Sequence, residues 1–488
     1  LPVIYYRKNA DPYASTQCSY VSGNNYDCSI VAAAVGGVMA TDVIQYYVVA
    51  QDTIGNVSAN PSGGAGGFTK NPPAAATPPT TPNQYTIVGA ISGTIAVGTG
   101  ETYTSLTNAG GIFEAINAAE VTGNITINLT TDLTGELGTV ALNEFASPFT
   151  ILIKPSGAPR TITGSNAVAL IRLNAADRVR FDGSTAASLY DSVVGGNPAL
   201  RELTVQNTNV STSAWVFSIA SNGTNGAQNN TIKNINVLGQ DPTTTLGGIS
   251  LGGATPGTAA TSPNNNNRVE NCSLKRAIFG IYSAGVNASF PNTGTVITQN
   301  ETSGVTADRI RRVGILVFND NGVQITENSI NGISTNESAD AVGIGLGNQS
   351  IDTTTTTTGV VTNALVSRNK INGVASLSTT GFSAAGITVA GTAGGANIIA
   401  NNMITGVTAP STSPDIPAGI FVVGALASNT RLYYNSVAMT GDRGTVNTQM
   451  PSYGIAITGT DPTVEMKNNI FYTTQTASCA TPCPTALS

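Results

Sequence analysis

The chain has 488 residues, of which only 10% are charged, with a net charge of −6 and no histidine. Globular proteins usually carry roughly 25% charged residues; polarity here rests instead on Asn, Thr, Ser and 54 glycines, which suit strands and turns. Imidazole acid–base chemistry and imidazole metal ligation are thereby removed, and the acidic balance argues against nucleic acid, which selects for a basic face. The longest apolar run, residues 30–40, is interrupted by glycine and falls short of the roughly 18 residues of a membrane span.

Residues 1–60 read as strands. The β-branched and aromatic runs Val3, Ile4, Tyr5, Tyr6 and Ile44 to Val49 (with Tyr46 and Tyr47) are separated by Gly and Asn, and a third run surrounds Tyr26 and Ile30. Cys18 and Cys28 are close enough to close a small loop, as are Cys479 and Cys483 near the other end; such pairs suit an oxidising, exported setting. A four-cysteine metal site would have to join these distant pairs without histidine, so no metal or cofactor is expected. Cys272 sits in a strand pattern and reads as a buried, inert thiol. The stretch Asp42 to Asp52 resembles a late strand of immunoglobulin-like or fibronectin type III modules of bacterial surface proteins. A whole module needs about 90–100 residues and seven strands, so the resemblance implies an incomplete β-sandwich, with a half-covered core and an open edge that a strand from elsewhere would fill. With Leu1 in first place, an initiator and any export signal are expected to have been removed or to lie outside this sequence.

Residues 61–83 turn to Gly, Pro, Ala and Thr and read as a linker. Residues 84–123 hold a strand and then a helix over 109–119, with Ile112, Phe113 and Ile116 on one face. That helix is placed to cover the first edge of a stacked array on its C-terminal side.

Residues 124–475 are repetitive. Six-residue units close on an aliphatic residue at Ile404, Val437 and Ile470, each step being 33 residues. A second unit opens with Gly-Ile at Gly248, Gly280, Gly314, Gly343, Gly386, Gly419 and Gly454. Asparagine holds the third place of the early six-residue units (Asn234, Asn271) and the fourth place later (Asn328, Asn369, Asn402, Asn435), with Asn300 in a weaker copy and Asn468 at the end. A fixed period of short alternating segments means stacked coils. Ile then stacks on Ile, and asparagine, which tolerates a left-handed bend, stacks into a structural ladder. The fold class is all-β: a right-handed parallel β-helix of about 11–13 rungs. The interval rises to 37 residues before Leu274 and 41 before Ile371, so residues 252–267 and 353–358 are expected to protrude as polar spacer loops. Residues 476–488 form a tail carrying the Cys479/Cys483 loop.

Tyr103, Thr104, Ser105 and Leu106 with their helix, the Val179-Arg180-Phe181-Asp182-Gly183-Ser184 segment and the asparagine ladder together resemble the pectin-lyase-like β-helices of large secreted proteins in Bacteroidetes-type bacteria. The resemblance implies architecture more than activity. It also implies O-glycan acceptors in Asp-Ser/Thr-apolar tripeptides, making Thr53, Ser192 and Thr353 candidates.

The enzyme reading needs facing carboxylates or a basic residue with calcium-binding acids. The acids Asp308, Asp320, Glu327, Asp340 and Asp352 are scattered, and the nearest two, Asp320 and Glu327, read as turn polarity. Arg309, Arg311 and Arg312 form the one basic cluster and are the candidate contacts for an acidic polysaccharide; a loop charge cluster is the plainer alternative. Trp215 lies in an apolar strand and reads as core. The sequence therefore points to a non-enzymatic, extracellular or cell-surface protein, a filament or stalk subunit joined head-to-tail to its own copies or to other surface proteins by strand complementation. A polysaccharide lyase, hydrolase or carbohydrate-binding adhesin is the alternative.

Overall fold

A computed structural model describes residues 1–185, 193–351, 359–378, 381–391, 395–410, 415–424, 428–446 and 451–479. The chain divides into two compact units, Leu1–Ile91 with Ala118–Glu120, and Ser92–Asn117 with Val121–Ser488.

In the first unit Val3–Lys8 lies between Ala14–Gln17 and Val43–Gln51, antiparallel to both. The other edge of Val43–Gln51 is shared end to end by Asn83–Thr86 and Val57–Asn60. Alternation sends Tyr5, Tyr47 and Val49 to one face, and Ile4, Tyr6, Tyr46 and Val48 to the other. Both faces are covered. The Cys18–Cys28 segment with Ile30 and Val35 packs on one; the hairpin Gly66–Thr69/Ala74–Thr77 places Ala75 on the other. The sequence expectation of a linker over 61–83 thus meets a folded hairpin and an edge strand. Small alanines serve as cover over a tyrosine face, and the Tyr5 and Tyr47 rings stack 5.0 Å apart beneath it.

The second unit holds three parallel sheets of 12, 11 and 10 strands. Each coil gives one strand to each sheet, as Ala396–Ala400, Met403–Thr408 and Pro417–Gly424 do. This is a right-handed parallel β-helix, the hand that twisted parallel strands favour in crossing over. The first strand of the stack, Ala90–Val97, precedes the point where the repeat becomes readable. Ile249, Ile281, Ile315, Ile344, Ile387, Ile420 and Ile455 lie in one register column of the third sheet. The six-residue units are corners: they end a strand of the first sheet and begin one of the second, as Ile399 and Ile404 show.

The recurring glycines have a packing cause. A Cβ on Gly419 would stand 2.2 Å from Val437 Cγ1 and 2.7 Å from the carbonyl oxygen of Gly454, and a Cβ on Gly386 2.5 Å from Ile404 Cγ2. The coils close around backbone at these points, with no room for a side chain.

The helix Ile112–Ala118 buries Ile112, Phe113 and Ile116, and Asn117 ties it to the first coil, donating to the Ala141 carbonyl at 2.7 Å and accepting from the N–H of Asn143 at 2.9 Å. Its approach is fixed by Glu136, whose carboxylate accepts from the backbone N–H of Leu106 at 2.9 Å and of Thr107 at 2.7 Å. Residues 252–267, expected to protrude, instead pack down. Gly257 N–H donates to Ser250 Oγ at 2.9 Å, Gly257 lies against the Trp215 ring, and Asn264 and Asn267 are fully buried. The physical reason lies in the outer face of the third sheet, which is apolar: Trp215, Tyr282 and Phe318 form an edge-to-face series along it and need cover.

Candidate functional site

The buried polar feature of the β-helix is the asparagine ladder at the corner between the first and second sheets. The backbone N–H and Nδ2 of Asn300 both donate to Asn328 Oδ1, at 2.9 and 3.0 Å. The same pair of bonds links Asn328 to Asn369, Asn369 to Asn402 and Asn402 to Asn435. The second Nδ2 hydrogen reaches a first-sheet carbonyl one coil earlier, Val269 for Asn300 and Ile325 for Asn369. From Asn328 to Asn435 each Oδ1 accepts two bonds and each Nδ2 donates two, as burial demands.

Three of the eight ladder expectations fall elsewhere. The partner of Asn435 is Asn469, at 2.9 Å, and Asn468 is exposed with φ 54°. Asn234 and Asn271, with φ 59° and 50°, occupy the same left-handed corner position one residue before the ladder, a place held lower down by Gln299, Glu327, Arg368, Asn401 and Tyr434. They make a short row of their own: Asn271 Nδ2 donates to Asn234 Oδ1 and Asn234 Nδ2 to Asp182 Oδ1, both at 2.7 Å. The move of asparagine from third to fourth place in the sequence marks a change of column.

The three arginines diverge. Arg309 is tied to the carbonyls of Ser334 and Thr306, at 3.0 and 2.7 Å. Arg311 pairs with Glu337, and the Arg312 guanidinium lies 6.0 Å from the centre of the Phe279 ring. Burial holds Arg311 and Arg312 below the usual guanidinium range, with Arg309 and Arg312 adding to the effect on Arg311. The Nε of each is buried without a partner. Nearby, Asp340 accepts from the N–H of Ile351 at 2.7 Å and of Ser383 at 2.8 Å. Burial pushes it up to about 6, Asp415 adds to the rise and Arg312 opposes it. A guanidinium with an unused Nε can recognise an anion. Asp308 is engaged with Arg276 at 2.7 Å and Lys275 at 4.0 Å.

Asp320 and Glu327 are not brought together. Asp320 is fully buried, accepts from Thr295 Oγ1 at 2.6 Å and leaves Oδ1 without a partner; burial pushes it up to about 7. Glu327 pairs with Arg368 at 2.8 Å and accepts from Gln299 at 3.1 Å. A closer pair escaped the sequence reading. Glu144 and Asp177 meet at a cavity of about 240 Å³ that Gln228 and Ser262 also line. Both bind Arg178, at 3.1 and 3.3 Å, and burial raises both, Asp177 further raising Glu144. Their separation of 33 residues, one coil, was the signal available.

Cys18 and Cys28 form a disulfide. Cys479 ends the strand Thr476–Cys479, which pairs with Asp442–Val446, while Cys483 lies outside the described residues. Thr53 is exposed beside Asp52, whose carboxylate accepts from the N–H of Ile54 and Asn56; Ser192, Asp352 and Thr353 lie outside the described residues. Trp215 is buried, but on the outer face of its sheet under the covering loop. Among the described residues no three His, Cys, Asp or Glu side chains are grouped to hold a metal, and no helix is long and apolar enough to cross a membrane.

The fold and the ladder define a parallel β-helix. No known family model and no curated protein matches the chain. Among solved structures it is similar to the A-module of the mannuronan C-5 epimerase AlgE6 of Azotobacter vinelandii, at 12% identity over 76% of this chain and 94% of that one, with a TM-score of 0.30. At that distance the likeness adds nothing to what the strand register already shows.

Proposed function

We propose that this chain is an exported, non-enzymatic structural protein: the rod of a filament or stalk on the surface of a Bacteroidetes-type bacterium, preceded by an immunoglobulin- or fibronectin-like module. The observation that carries the reading is the unbroken run of amide bonds from Asn300 to Asn469, buried as far as Asn435, which locks consecutive coils to one another. Ladders of this kind hold coils in register and present no reacting group. The Cys18–Cys28 disulfide supports export, since such bonds persist in oxidising compartments. Copies would meet head-to-tail by strand pairing between exposed Ala14–Gln17, an edge of the N-terminal sheet, and the last described coil, where Ile457 and Met466 are 43% and 49% exposed. O-glycans on Thr53, Ser192 and Thr353 belong to the same reading. Negative-stain microscopy and light scattering of the purified chain test it. End-to-end chains that lengthen with concentration are expected, and Met466→Asp shortens them; monodisperse particles at high concentration overturn the assembly.

A second reading, an acidic-polysaccharide-binding or polysaccharide-cleaving β-helix, is favoured by the partnerless Nε atoms of Arg311 and Arg312 alone. Incubation with uronate polymers separates the two: unsaturated product that disappears in Arg311→Ala would establish the enzyme, and retention on the polymer without product the adhesin.

A further inference from the structure

Between the strands Val179–Asp182 and Leu203–Asn207, residues 193–202 lie along the outside of the asparagine corner. Gly195 N–H donates to the carbonyl oxygen of Glu327 at 2.7 Å, four coils beyond the coil from which the segment departs. That reach is roughly 19 Å at the spacing of parallel strands. On the way back, the Asn197 carbonyl accepts from Asn271 Nδ2 at 3.0 Å. Arg201 then donates through Nε to the backbone oxygen and Oδ1 of Asn271, both at 3.1 Å, through Nη2 to the Gly195 carbonyl, and through Nη1 to Glu301. The Arg201 side chain is only 2% exposed. The contact is too close for side chains: a Cβ on Gly196 would stand 2.1 Å from Asn271 Oδ1, and one on Gly195 2.9 Å from Ser329 Cβ.

We infer that residues 193–202 are a tie-bar that joins the coils containing Asn234, Asn271, Glu301 and Glu327 into one cooperative block. In an ordinary stack each coil touches only its neighbours, so opening one coil costs only local contacts. Here a buried charge and three backbone carbonyls link non-adjacent coils. Opening the coil of Asn271 or of Glu301 strips Arg201 of partners it cannot replace inside the protein, opening that of Glu327 frees Gly195, and that of Asn234 is held through Asn271. The tie-bar also closes late, because its anchor at Glu327 is made only when four further coils are in place.

Hydrogen exchange on the full chain tests both statements. In Arg201→Met and in the milder Glu301→Gln, amides of residues 269–302 are expected to exchange at least tenfold faster than in the parent, with residues 365–437 unchanged. If Arg201→Met does not fold, Glu301→Gln and Gly196→Ala carry the comparison. A response confined to residues 193–202 would show a mere surface cover and overturn the tie-bar, as would no response at all. In pulse-labelled refolding, Gly195 should gain protection with or after the amides of residues 325–330. Earlier protection would overturn the late closure.

Discussion

Cys272 stands in the asparagine ladder one coil before Asn300. Its N–H donates to Asn300 Oδ1 at 2.9 Å, and its Sγ lies 3.6 Å from the carbonyl oxygen of Ile232, where the next coil places the Nδ2 of Asn300 on Val269. Burial pushes the thiol up to about 12, opposed by the N–H of Ile235 pointing at the sulfur. A weak donor and acceptor therefore fills a place built for an amide. Cys272→Asn is expected to stabilise the chain by about 1 kcal/mol, read as a shift in denaturant midpoint, and the native thiol should stay unreactive to maleimide until unfolding.

The two asparagine columns differ in consequence. Asn369→Ala removes the acceptor of two Asn328 donors and the partners of Ile325 and Asn402. With each buried group left unsatisfied costing about 1–3 kcal/mol, a loss of roughly 3–5 kcal/mol is expected. Asn468→Ala meets only the strain of a left-handed residue at an exposed corner, about 1 kcal/mol. Equal losses in the two variants would contradict this assignment of columns.

Asp320 makes stability depend on pH. Its ordinary value is 3.8 and burial pushes it up to about 7 in the folded chain. Between those values the unfolded chain releases a proton that the folded chain keeps. This contribution is therefore fully present below the unfolded value and is lost as pH rises through about 7. Asp340, pushed up to about 6, acts in the same direction. Asp320→Asn keeps the shape and removes the titration, so the gain over the parent should be small near pH 4 and reach about a few kcal/mol by pH 8. Thermal unfolding across that range is the measurement; a gain independent of pH would show that Asp320 does not titrate between those limits.

Gly419→Ala forces one methyl into the space of Val437 and the Gly454 carbonyl. Overpacking of this kind costs about 1–3 kcal/mol or more where backbone must move. Gly322→Ala meets no atom within 4 Å and strains only its positive φ of 90°. A larger loss at Gly419 than at Gly322, measured by urea unfolding, is the expected order.

Much of the β-helix was legible because its rules are local and repeated. Ile387 and Ile420 share a register column and also the 33-residue step of Ile404 and Val437, so the sequence displays the contact. Asn468 and Asn469 show the limit of that reading: two adjacent asparagines fit one pattern, and only the left-handed φ of the first decides which faces inward. Residues 66–77 were obscure because alanine- and proline-rich chain reads as linker, while their folding depends on a tyrosine face supplied by other strands. The Glu144–Asp177 pair carries only a one-coil spacing and no motif, and the Gly195–Glu327 bond carries neither; each arises from where the coils happen to stack.

The ladder amides all point the same way: each Oδ1 faces the coil before it, and each shared Nδ2 hydrogen faces the coil after it. Identical links with one polarity make coils interchangeable along the stack but not reversible. Excising residues 403–435, one 33-residue period, would set Asn402 directly on Asn469 and strand no amide. Growth or shortening by whole periods is thus open to such a chain, while an inversion of any coil would leave donor facing donor.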